Sequence, residues 1–196
     1  MRKSKASNTA IISIFIAIMI VINVLTQVIF TIWPFPIRPT LVHVPVIIGS
    51  IILGPKIGAF LGFIMGVIST VTATIITTPT SFLFSPLQPV PGTNSGDWRA
   101  ILIAFVPRIL IGIVPYFVFQ LLKKNTKIGA GIAGFAGSAT NTILVLSAIY
   151  LIFGDVLKWS VKTVLASVVG TNSIAEAIIS AILTAAIVPA LLKIRD

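Results

Sequence analysis

PTLVHVPVIIGSIILGPKIGAFLGFIMG, residues 39–66, is two apolar segments folded back on each other through a tight Gly54-Pro55-Lys56 turn. Almost nothing water-soluble is built this way. The second segment repeats glycine at Gly58, Gly62 and Gly66, a strip along which another helix backbone can approach closely in lipid. Such a strip suits packing or sliding against a partner.

The rest of the chain has the same character. Of 196 residues, 57% are hydrophobic and only 9% charged, too little polar surface to solubilise a globular domain of this size. The expected fold is an all-α integral membrane protein forming a single membrane-embedded domain over residues 1–196. No polar block is long enough to fold as a second unit. Cysteine is absent, which excludes disulfides and thiolate metal sites. The apolar run from Ala10 to Ile32 that follows Arg2, Lys3 and Lys5 is too long for a cleaved signal, so it reads as a retained first helix.

A bilayer core of about 30 Å needs roughly 20 helical residues. On that ruler six transmembrane helices are expected, near residues 7–31, 40–53, 56–77, 98–122, 128–153 and 160–192. The second is short and carries Pro45, so an incomplete crossing is expected; the sixth is long enough to bend or project. Six spans starting inside place nine of the fourteen basic residues, among them Lys56, Lys123, Lys124 and Lys127, on one side. Because Lys and Arg stay cytoplasmic, both termini are expected to be cytoplasmic. The formal net charge of +10 then follows from topology, and no basic-aromatic patch for nucleic acid is present.

Proline-rich stretches, residues 33–39 and 78–97, fall in the outer loops. They read either as rigid connectors or as lids over a pocket that opens outward.

Four acidic residues and one histidine leave little for catalysis. No metal-ligand cluster, phosphate-binding glycine loop or cofactor motif is present, and an enzyme is not expected. Ionisable groups inside a membrane are costly and so are candidates for function. Arg108 lies about ten residues into the fourth span, about 15 Å deep at the helical rise. Glu176 lies at similar depth in the sixth, four residues after Asn172 and therefore on the same face. Asn141 sits mid-membrane in the fifth. An arginine fork suits a ligand carboxylate, with Asn141, Asn172 and Glu176 reading hydroxyl or amide groups. An Arg108–Glu176 ion pair with helix-joining asparagines fits the same residues. His43 and Trp98 are further candidates for the cavity, with packing and interfacial anchoring as their alternatives. Ala10, Ser13 and Ala17 share one face of the first span, a face for a partner helix or for an internal contact.

Taken together, the six spans, the proline-rich first outer loop, the residue 39–66 block and FVPRILIGIVPY (residues 105–116) resemble the substrate-binding S components of energy-coupling factor (ECF) vitamin transporters, most of all the pantothenate-specific members. The resemblance implies that the chain captures pantothenate outside a prokaryotic plasma membrane. A transmembrane T protein and two cytoplasmic ATPases would then power release inside, with toppling of the S component within lipid. It implies docking faces at Ala10, Ser13 and Ala17 and at Gly58, Gly62 and Gly66. One departure stands out: where the family often carries Ala-x-x-x-Ala in the first helix, the well-embedded pair here is Ser13-x-x-x-Ala17. Another vitamin, such as pyridoxine or a hydroxymethylpyrimidine, is the alternative ligand. An integral membrane enzyme and a stand-alone transporter are the alternative classes.

Overall fold

The computed structural model describes residues 5–32, 41–158, 162 and 173–195. Among them are seven α-helices: α1 (Lys5–Ile32), α2 (His43–Leu53), α3 (Pro55–Ile75), α4 (Arg99–Ile111), α5 (Val114–Leu122), α6 (Thr126–Leu157) and α7 (Ser173–Arg195). Five helical stretches are long and apolar enough to cross a bilayer, α4 and α5 together making one of them, and α2 is a shorter sixth. Large apolar side chains exposed along the helices, such as Val21 and Val24 on α1 and Ile178 and Ile182 on α7, are those a lipid environment would cover.

At 11 residues, α2 is about 16 Å long, roughly half a bilayer core. It is tolerated because α2 is the centre of the bundle: α1, α3, α4, α5, α6 and α7 all pack on it, and His43 to Ile51 are buried without interruption. Its ends therefore meet protein. Pro45 lies in its first turn, where an amide hydrogen has no helical acceptor. The hairpin into α3 is tighter than the expected three-residue turn. Gly54 alone makes it, at φ +94°, a region that glycine enters without steric penalty, and Pro55 already opens α3, the position proline favours.

The fourth crossing is not one continuous helix. Pro115 has no amide hydrogen for the carbonyl of Ile111, and the chain tightens there into i to i−3 bonds, Gly112 to Ile109 at 3.1 Å and Ile113 to Leu110 at 2.9 Å. The sixth expected span also differs. Its described helix begins at Ser173 instead of residue 160, and most of residues 160–172 lie outside the described residues.

The glycine strip of α3 requires a correction. Gly58, Gly62 and Gly66 are buried and face α4 of the same chain. A methyl group at Gly58 would strike the carbonyl oxygen of Gly112, one at Gly62 that of Arg108, and one at Gly66 the ring of Phe105. The close approach that the spacing promised is real, but its partner is internal, so this strip is not open to dock another protein.

Between α3 and α4, residues 76–98 fold back onto the bundle. Phe82 and Leu83, in a short 3-10 helix, pack with Val90 against Ile103, Ile149 and Phe153. Side chains pin the segment. Ser81 Oγ donates to the Ile76 carbonyl at 3.1 Å, Gln88 Nε2 to the Thr74 carbonyl at 2.9 Å, and the Thr74 and Ser85 hydroxyls lie 2.7 Å apart.

Candidate functional site

Under this folded segment lies a cavity of ≈ 330 Å³, at the small end of the range for ligand sites. α1 contributes Asn23, Thr26 and Gln27, which recur at i, i+3 and i+4 and so share one helical face. α3 contributes Ser69, Thr72 and the apolar Met65 and Ile68. Thr78, Thr80, Ser81 and Phe84 form the roof, and Arg108 of α4 and Asn141 of α6 complete the wall. Asn23 Nδ2 donates to Thr72 Oγ1 at 3.1 Å, which ties α1 to α3 across the wall.

Arg108 dominates the electrostatics. Its residue is 6% exposed, its Nη1 donates to the Ile103 carbonyl at 2.6 Å, and its guanidinium carbon lies 4.9 Å from the centre of the Phe84 ring, within cation–π range. Its Nε has no partner, and no carboxylate pairs with it among the described residues. Across the cavity wall the buried Asn141 Oδ1 also lacks a hydrogen bond. A buried donor and a buried acceptor left unpaired are both expensive. The pair is complementary to a small anion that also carries hydroxyl or amide groups.

Arg108 and Asn141 are thus brought to one cavity. Glu176 is buried on α7 but does not line it. His43 is fully buried and its Nε2 lies 2.7 Å from Ser180 Oγ; it joins α2 to α7 and does not line this cavity, which favours the packing alternative over the ligand site. Trp98 is 77% exposed just before α4 and does not line the cavity either, which favours its interfacial alternative. Asn172 lies outside the described residues. Reading the residues one at a time passed over Asn23, Gln27 and Thr72, although the i, i+3, i+4 recurrence of Asn23, Thr26 and Gln27 in an apolar helix was a usable signal. Nothing local marked Phe84, whose place depends on how the loop folds.

A bundle of apolar helices around a roofed hollow, with an arginine in its wall that no carboxylate among the described residues pairs, is the architecture of a membrane protein built to hold a small solute. Residues 8–188 match the family described as ECF transporter, substrate-specific component, and the chain belongs to that family. It is 61% identical over 196 residues, all of this chain and 99% of the relative, to the pantothenic acid transporter PanT of Lactococcus lactis subsp. cremoris (strain MG1363). It is therefore a multi-pass transporter component of a prokaryotic plasma membrane and not an enzyme.

Proposed function

We propose that this chain captures pantothenate from outside the cell in the cavity under residues 76–98, with Arg108 holding the carboxylate and Asn141 accepting from a hydroxyl or amide of the ligand. The observation that carries the reading is the buried Arg108 guanidinium in the wall of the hollow, with Nε unpartnered and no carboxylate paired with it among the described residues. Pantothenate is an anion with two hydroxyls and one amide, which suits a wall of one cation and several Asn, Gln, Ser and Thr side chains. The name of the 61% identical relative supports the same ligand.

The orientation follows from charge. Lys56, Lys123, Lys124 and Lys127 cluster at the α2–α3 and α5–α6 turns, opposite the cavity, so the cavity faces outward if those turns are cytoplasmic. A T protein and two ATPases, implied by the family, complete the importer. Ala10, Ser13 and Ala17 are exposed on α1 and are the face offered to the T protein. Release inside the cell then follows toppling of this chain against that partner.

The test is a thermal-shift and calorimetric screen of the purified chain against a vitamin panel. A ligand at 100 times its Kd adds about 2.7 kcal/mol of stability. Pantothenate is expected to stand out, and Arg108→Ala to abolish its binding while the variant still inserts and folds. Unchanged affinity in that variant, or a larger response to an uncharged aromatic vitamin, overturns the assignment.

A further inference from the structure

Pro107 lies inside α4, immediately before Arg108. Lacking an amide hydrogen, it leaves the carbonyl of Ile103, four residues earlier, without the donor that an uninterrupted helix would supply. A buried carbonyl needs another partner. The Cα–Cβ bond of a helical residue tilts toward the helix N-terminus, so the Arg108 side chain runs back along α4, and its Nη1 reaches this same carbonyl at 2.6 Å. The bond is buried and charge-assisted. It ties up Nη1 and leaves the opposite edge of the guanidinium, the Nε and Nη2 edge that pairs side-on with carboxylates, uncommitted; among the described residues Nε has no partner.

We infer that Pro107 is a positioning residue for ligand recognition. By freeing the Ile103 carbonyl, it creates the anchor that fixes the rotation of the Arg108 guanidinium and keeps its Nε–Nη2 edge free for a ligand. With any other residue at 107, the Ile103 carbonyl regains a main-chain donor and turns back along the helix axis. The guanidinium then loses its fixed edge and must be ordered by the ligand itself, which costs affinity.

The inference rests on the pantothenate reading above, and the experiment separates the two. Pro107→Ala and Pro107→Gly both restore the amide hydrogen. Each is compared with the wild-type chain for binding of pantothenate and of its neutral alcohol counterpart, in which the carboxylate is replaced by a hydroxymethyl group. The wild-type chain is expected to prefer the acid. Both variants are expected to lose about tenfold in affinity for the acid, the scale of one hydrogen bond to a charged group, and to change less than about twofold toward the alcohol. In an Arg108→Ala background, where pantothenate no longer binds, the proline substitutions are expected to leave binding of the alcohol unchanged. A wild-type chain that binds acid and alcohol equally overturns the carboxylate reading itself. A wild-type preference that both variants retain overturns the role of Pro107 alone. Equal loss of both ligands also overturns that role, because the proline would then shape the fold and not the arginine.

Discussion

Gly62 of α3 and Arg108 of α4 meet backbone to backbone: a methyl group added at Gly62 would run into the Arg108 carbonyl oxygen. The arginine that faces the cavity is therefore set at its main chain by a neighbouring helix as well as at its guanidinium by Ile103. Gly62→Ala has no relaxed solution, because the colliding atom is main chain and cannot rotate away. Overpacking of this kind costs about 1–3 kcal/mol, and here it moves Arg108 as well. We expect a lower Tm together with at least tenfold weaker pantothenate binding, read by thermal denaturation in detergent and by calorimetry. A Gly62→Ala chain with unaltered Tm would mean that the two helices are not in this contact.

Asn141 supplies an opposed pair of effects. Its Oδ1 is buried without a partner among the described residues, an unfavourable arrangement that a ligand donor would relieve. Asn141→Leu keeps a similar volume and removes the open acceptor. The unliganded variant is expected to have a Tm at or above that of the wild type, while pantothenate affinity falls about tenfold. Asn141→Asp adds a negative charge to a cavity meant for an anion, so a larger loss is expected. If Asn141→Leu binds as tightly as the wild type, the amide does not touch the ligand.

How far these features could be read from the chain itself depends on the range of the interaction. The α2–α3 hairpin was legible because Gly54 and Pro55 act on their own backbone, and the place of Arg108 about ten residues into the fourth helix because an apolar run of that length in lipid has to be helical. The glycine strip announced a close helix contact, but spacing of four residues is the same whether the partner lies inside the chain or outside it, so α4 was not foreseen as its occupant. The break at Gly112 was visible in Pro115 only in retrospect, since prolines in membrane helices are often accommodated without one. His43 and Trp98 show the limit. An isolated polar or aromatic side chain near the right depth carries no information about which way it points, and one points to Ser180 while the other projects away from the bundle.

His43 tests that distinction directly. Its ring is fully buried between α2 and α7 with Nε2 at 2.7 Å from Ser180 Oγ, so His43→Ala opens a cavity and strips a hydrogen bond from a buried hydroxyl. Together these cost about 2–4 kcal/mol. The expected result is a marked fall in Tm with pantothenate affinity, measured below the new Tm, within about threefold of the wild type. The reverse pattern, weak binding in a chain of normal Tm, would return His43 to the ligand site.

Acid should reveal the one ion pair among the described residues. Asp97 Oδ2 lies 2.7 Å from Arg99 Nη2, and Asp97 Oδ1 accepts the Arg99 backbone amide at 2.8 Å at the start of α4. The hydrogen bond from the Arg99 side chain, reinforced by that from its backbone amide, holds the Asp97 carboxyl below the usual aspartate range. A carboxyl whose pKa is depressed on folding stabilises the folded state above its unfolded value. That contribution is lost as pH falls through the folded one. The unfolded value is near 3.9, so the contribution should be constant from pH 7 down to about 5 and vanish only in stronger acid. The pair is largely exposed, so the effect is small, and it is best read as a difference. The Tm gap between the wild type and Asp97→Asn should stay level from pH 7 to about 5 and close below about 4. A gap that closed already between pH 7 and 5 would show that some other group, and not this carboxylate, secures the N-terminal end of α4.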